Sequence, residues 1–217
     1  DSLPEEFNNF KIGFISDINL EDSSDIERLG EIVASLNDQN VDMVIFGGDL
    51  FQSSAFETEK VISTLSNINS KFGKFAVLGE KDLTIATDVT AILNEGGFEV
   101  LHNEYQPIYY KNASISLFGL ESNGDISGLL NDNNKDSYKL AVVHEPDYFT
   151  TTAKSAIALQ LSGHTMGGYI RLPIIGGLFT KTNGSTYVSG RHTIDDSELI
   201  ISNGLGIGGT NIIASKD

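Results

Sequence analysis

The chain has no cysteine. Disulfide bonds and thiolate chemistry are therefore excluded, and nothing in the sequence reports the redox state of its compartment. Basic residues are scarce as well: 14 Lys and Arg stand against 30 Asp and Glu in 217 residues, a formal net charge of −16. A surface of that sign repels a phosphate backbone on average and no basic patch interrupts it, so no nucleic-acid partner is expected. No apolar run reaches the roughly 18 to 20 residues that a membrane-spanning helix requires. Internal repeats and low-complexity linkers are also missing, and 217 residues of 40% hydrophobic content suffice for one sizeable core. A single domain over residues 1–217 is the expectation. The chain opens at Asp1 and not at a methionine, which leaves room for a signal, anchor or tag outside it.

What is present is one device used five times. Residues 41–50, VDMVIFGGDL, place an apolar run, two glycines and then Asp49 in succession. Such a run reads as a strand buried on both faces, with the glycines turning the chain at its carboxyl end. The same pattern ends in Asp17 after Phe10–Ser16, in Glu80 after Lys74–Gly79, in His144 after Tyr138–Val143 and in His164 after Ile157–Gly163. In open α/β sheets the crevice beyond the carboxyl ends of the strands is where ligands bind. Asp, Glu and His at five such ends share an affinity for divalent metals.

Amphipathic spacing places helices between the first strands. Ile26, Leu29, Ile32, Val33 and Leu36 define one, Val61, Ile62, Leu65 and Ile68 a second, and a third runs around Asp88–Leu93, ended by Gly96 and Gly97. The first 80 residues thus alternate β-α-β-α-β, which argues for parallel strands with right-handed crossovers. Shorter strands follow at Glu99–His102, Pro107–Lys111 and Ser114–Gly119, then at Ser185–Gly190, Leu199–Ser202 and Asn211–Ala214, with a turn at Asn131–Asp136 between them. A second sheet packed beside the first is predicted.

Each polar residue also has a plainer reading. Asp49 could cap the following helix, His144 could be a hydrogen-bonded core histidine, and Glu80 with Lys81 could be a solvated charged pair. Met166 fits packing better than ligation, Asp82 fits support of its loop, and His102 and His192 fit the surface. Gly167 and Gly168 could cradle a phosphate or form a tight turn, the turn being preferred. Arg171 is the most attractive basic residue for an anionic ligand.

Taken in order, Asp17-Ile-Asn19, Gly48-Asp49, Gly79-Glu80-Lys81-Asp82, His144 and Gly163-His164-Thr165-Met166 resemble the motif series of the calcineurin-like metallophosphoesterase family. That series reads D-x-H, G-D, G-N-H-[DE], a lone His and G-H-x-H, and the resemblance is to the small bacterial branch. The glycine-rich stretches Gly167–Pro173 and Ile201–Gly209 are similar to those that follow the last motif. The resemblance implies a four-layer α/β/β/α sandwich of two mixed sheets. It further implies two divalent metals about 4 Å apart, bridged by Asp49, that activate a water for attack on phosphorus. Asp17 would belong to the first metal, and His144 and His164 to the second.

The departures fall on one half of that site. Asn19 and Met166 stand where the family has the first metal's imidazoles, and neither an amide nor a thioether replaces imidazole well for Mn²⁺, Zn²⁺ or Fe²⁺. Glu80 stands for an Asn, and Lys81 for the His on the leaving-group side. The expectation is a dismantled first site and a second site formed by Asp49, Glu80, His144 and His164, holding one divalent metal (Mn, Zn or Fe) or none. Lys81 and Asp49 are then the remaining catalytic candidates, and the Lys81 ammonium, near Asp17 and Asp49, is a partial replacement for the lost metal charge. The function implied is a phosphoesterase homologue of reduced or absent activity that binds a phosphate-containing ligand or a protein partner. The alternative is a hydrolase working with one metal. The branch's habit of sitting at membranes suggests the cell envelope, with any tether outside this chain.

Overall fold

A computed structural model describes residues 2–121, 124–167 and 183–206, with the backbone alone at 171–172 and 176–177. The first half alternates as its apolar spacing predicts: β1 (Ile12–Ile15), α1 (Asp25–Asp38), β2 (Met43–Phe46), α2 (Thr58–Ser66), β3 (Lys74–Ala76), α3 (Glu80–Thr84), α4 (Val89–Glu95) and β4 (Glu99–Val100). β1 to β4 form one sheet in that order, parallel throughout. Leu29, Val33 and Leu36 of α1 and Val61 and Leu65 of α2 bury against it. α4 begins where Asp88 accepts a hydrogen bond from the Ala91 backbone N–H at 3.1 Å. It ends at Gly96, and Gly97 takes the left-handed conformation, φ +87°, that halts a helix.

The second half contributes β5 (Glu104–Tyr110), β6 (Ala113–Leu120), β7 (Tyr138–Val143), α5 (Phe149–Lys154), β8 (Leu159–Ser162), a two-residue pair β9 (Arg171–Leu172) and β10 (Gly176–Gly177), then β11 (Gly190–Ile194) and β12 (Ser197–Ile201). Six of these form a mixed sheet in the order β11-β12-β8-β7-β6-β5. Its four central strands, β12, β8, β7 and β6, are parallel, and an antiparallel strand closes each side.

Side-chain alternation decides how the sheets stack. Met43 and Ile45 of β2 pack with Leu117 of β6 and Leu140 and Val142 of β7, so these faces meet between the sheets. Val44 and Phe46 point the other way, into α1, α2 and α4. Phe118, Ala141 and Val143 face the far side of the second sheet, and Phe149 of α5 packs there on Leu199 and Ile201. The layers are helix, sheet, sheet, helix, as the motif resemblance implies, but only the second sheet is mixed: the first is parallel among the described residues because a helical crossover joins each of its strands to the next.

One local expectation changes, two short helices are added, and one predicted strand goes untested. Ser185–Ser189 is a loop and not a strand, because the Asp147 carboxylate takes the backbone N–H groups of Ser185, Thr186 and Tyr187 at 3.0–3.1 Å. The strand begins only at Gly190. α3 and α5, of five and six residues, are too short to show a helical period in the sequence. The predicted strand Asn211–Ala214 lies outside the described residues.

Gly119 in β6 lets Leu101 approach closely: a Cβ there would lie 2.2 Å from Leu101 Cβ, too near the backbone to swing aside. Gly119→Ala should therefore lower the unfolding free energy by about 1–3 kcal/mol, read as a lower urea midpoint with an unchanged slope.

Candidate metal centre at the strand ends

Beyond the first sheet, the chain segments leaving β1 and β2 continue side by side. Asp17 N–H donates to Gly48 O (2.8 Å), Asn19 N–H to Asp49 O (3.1 Å) and Leu20 N–H to Leu50 O (2.8 Å). This places the tips of two strands in a fixed register. From the second sheet, Gly163 N–H donates to His144 O (3.0 Å), and Gly206 N–H closes the circle on Asp17 O (2.7 Å). Five residues of the motifs sit in the left-handed region: Asp17, Asn19, Asp49, His164 and Met166, with φ between 50° and 70°. Asp, Asn and His tolerate that region better than most side chains, and clustered strain of about 1–3 kcal/mol per residue is characteristic of functional sites.

The turns at Asp17 and Asp49, together with the end of β7, bring three buried side chains to one point. Asp17, Asp49 and His144 each offer a ligand atom, all within 4.8 Å of one another. Glycine makes room for the carboxylates: a Cβ at Gly163 would stand 2.3 Å from Asp17 Oδ2, and one at Gly79 would stand 2.2 Å from Asp49 Oδ1. Asp17 also accepts the His164 backbone N–H at 3.0 Å. His144 Nδ1 lies 2.6 Å from the Gly47 carbonyl, so Nδ1 carries the proton. That leaves Nε2 to face Asp49 Oδ1 at 3.4 Å, buried and off hydrogen-bond geometry.

Burial opposes charge on His144, but the close approach and charge of Asp49, then the charges of Asp17 and Glu145, outweigh it and push the imidazole up to about 10. Two carboxylates and an imidazole held by a backbone carbonyl suit one borderline or hard divalent ion, which would displace the Nε2 proton. Glu80 and His164 stand beside this trio and not in it. Glu80 opens α3 with a half-exposed side chain, its Oε1 3.9 Å from His164 Nδ1, and the His164 ring meets that of His144 edge-on at 5.1 Å.

The other flank of Asp49 is filled differently. Lys81 Nζ lies 3.6 Å from Asp49 Oδ2 and donates to Asn19 Oδ1 (2.6 Å) and Gln52 Oε1 (2.7 Å). At about 4 Å, such a pair gains roughly 4 kcal/mol at an effective dielectric of about 20. The Asn19 amide donates to Asp17 O (3.1 Å) and reaches Met166 Sδ at 3.6 Å. Of the three positions at which this chain departs from the family imidazoles, Asn19 therefore touches both of the others. These donors do not fit a second divalent ion.

Asp82 supports the arrangement from below. Its carboxylate accepts the backbone N–H groups of Asp49 (2.8 Å), Gly79 (2.9 Å) and Leu50 (2.9 Å). Burial pushes its pKa up to about 6, the three N–H donors work against that, and the Asp49 charge adds to it. His102, exposed and paired with Glu121, and His192, half-buried beside Tyr187, take no part. The side chain of Arg171 and all of Gly168 lie outside the described residues. Gln52 and Arg28 carry no sequence signal for their roles: Arg28, from α1, donates to Ile18 O (3.0 Å) and Leu205 O (2.7 Å), tying the β1 tip to the segment after β12.

Comparison with known proteins matches residues 10–168 to the family model described as calcineurin-like phosphoesterase. The chain is 31% identical over 214 residues to the uncharacterized metallophosphoesterase YkuE of Bacillus subtilis, covering 94% of this chain and 75% of that one. It is 25% identical over 209 residues to the phosphodiesterase YaeI of Escherichia coli, covering 91% and 75%. Among solved structures, TT1561 of Thermus thermophilus shares the fold at a TM-score of 0.56 and 12% identity over 89% of each chain. GAP50, described as the anchor in the inner membrane complex of Plasmodium, does so at 0.56 and 11%, over 96% of this chain and 75% of that one. No helix among the described residues is long and apolar enough to cross a membrane.

Asp82→Ala should cost roughly 2–4 kcal/mol of stability, because three buried N–H donors lose their acceptor at once. Equilibrium denaturation measures this directly, and a change below 1 kcal/mol would show that the Asp49 turn holds itself.

Proposed function

The chain belongs to the calcineurin-like phosphoesterase family, and we propose that within it this protein binds a phosphate-containing ligand, free or on a protein, with little or no hydrolytic turnover. The observation that carries this reading is the contact between Asn19 Nδ2 and Met166 Sδ at 3.6 Å. Two positions that would supply imidazoles to one metal instead satisfy each other. With Lys81 in place of a third imidazole, the second ion's share of water activation and an acid with a pKa near neutrality on the leaving side are both lost, and each normally contributes orders of magnitude to rate.

What remains suits binding. Asp17, Asp49 and His144 would hold one divalent ion, which when bound would supply positive charge for a phosphate oxygen. The centre lies at the carboxyl ends of both sheets, and no sequence feature of the neighbouring loops, 20–24, 50–56 and 83–87, selects a particular ligand. The same trio favours a second reading, a one-metal phosphoester hydrolase, which differs from the first in turnover alone.

The discriminating test compares hydrolysis of bis(p-nitrophenyl) phosphate in excess Mn²⁺ by the native chain and by Asn19→His/Lys81→His/Met166→His, with and without Glu80→Asn. At least one restored variant should exceed the native chain by about 100-fold or more. Native turnover equal to that of both restored variants, and abolished by Asp49→Asn, would establish the one-metal hydrolase instead.

A further inference from the structure

Lys81 is bound to Asp49 twice. Its backbone N–H donates to Asp49 Oδ1 at 3.1 Å, and its ammonium stands 3.6 Å from Asp49 Oδ2. The side chain is only 18% exposed, so the ammonium is held by its surroundings and is not a solvated surface charge. An ammonium has three donors, and Asn19 Oδ1, Gln52 Oε1 and Asp49 Oδ2 stand at 2.6, 2.7 and 3.6 Å around it. It is turned into the protein toward these oxygens.

The Asn19 amide completes the arrangement. Its oxygen accepts from Lys81, which leaves its N–H groups for Asp17 O and Met166 Sδ. A cation approaching this flank of Asp49 would meet an ammonium, two amide hydrogens and a thioether. Gly204 backs Met166 so closely that a Cβ there would lie 2.5 Å from Sδ, so the thioether has little room to withdraw. On the opposite flank, Asp49 Oδ1 faces His144 Nε2 at 3.4 Å, and Asp17 joins them.

We propose that Lys81 is a resident cation of this centre: its ammonium takes the flank of Asp49 that a second divalent ion would need, so the cleft holds at most one divalent ion and stays folded with none. The inference rests on the reading of the cleft as a phosphoesterase-family centre. A divalent ion could enter the Lys81 flank only by displacing the ammonium and reversing the Asn19 amide. The positive charge that buried Asp49 needs is supplied by the chain itself, and a mobile ion is not required for it. Gln52 is then a positioning residue, fixing the ammonium through its amide oxygen.

The test uses the full chain, stripped with chelator and re-equilibrated with excess Mn²⁺, with metal counted by elemental analysis and the thermal midpoint recorded in both states. The native chain should bind one Mn²⁺ or none, and two per chain would overturn the proposal. This count needs no variant. In the stripped state, Lys81→Met should melt about 5–15 °C below the native chain, as expected when one partner of a buried ion pair is removed. Mn²⁺ should raise the midpoint of that variant by more than it raises the native one, a response that loss of packing alone would not produce. Lys81→Arg, which keeps the charge, should stay within a few degrees of native. Equal stripped midpoints for the native chain and Lys81→Met would overturn the proposal. Two bound Mn²⁺ without turnover would remove the resident cation and leave the binding reading standing, whereas one bound Mn²⁺ with turnover would do the reverse.

Discussion

Two carboxylates, Asp17 and Asp49, are sealed from water where the two sheets meet. A buried charge is tolerated only when it is paired and hydrogen-bonded, and much of the surrounding structure meets that demand. Asp17 takes the His164 backbone N–H, and Asp49 takes the Lys81 backbone N–H together with its ammonium. His144 approaches Asp49 from the second sheet and is held there by the Gly47 carbonyl. Each partner comes from a different strand end, so the charges can be satisfied only in the complete sandwich.

The backbone bears the cost of this arrangement. Left-handed turns at Asp17, Asn19 and Asp49 in one sheet, and at His164 and Met166 in the other, bend the strand tips over the cleft. Asp82 makes the Asp49 turn affordable by accepting three N–H groups that the sheet no longer pairs. Polar tips are thereby held rigidly on an apolar frame whose two faces, Met43 with Ile45 and Val44 with Phe46, serve separate layers. The strain is local to the tips, and the packing that opposes it lies directly beneath them.

The substitutions that separate this chain from the family pattern form a connected set. Asn19, Lys81 and Met166 are far apart in sequence, yet the Asn19 amide touches both of the others. A centre that had merely lost its ligands would leave carboxylates facing a void. Here a hydrogen-bonded cation and a thioether fill the space instead. One flank of Asp49 is closed in this way, while the other keeps the donors of an ion site.

Much of the architecture was legible because it depends on local periodicity. Apolar runs ending in Gly-Asp, Gly-Glu or Gly-His marked β2, β3 and β8, and 3.6-residue spacing marked α1 and α2. The motif series Asp17, Asp49, His144 and His164 then located the cleft. Where a signal needed length it failed: α3 and α5 are too short to display a period, and the Ser185–Ser189 segment has strand-like composition but gives its N–H groups to Asp147. By itself the sequence determined the layer order, the strand ends that meet and the residue types that gather there. Only the tertiary structure decided that Asp17 joins Asp49 and His144 while Glu80 stands half-exposed beside His164, and that Lys81 points inward to Asn19 and Gln52. Those outcomes depend on φ at single residues and on the register between segments that no spacing rule connects.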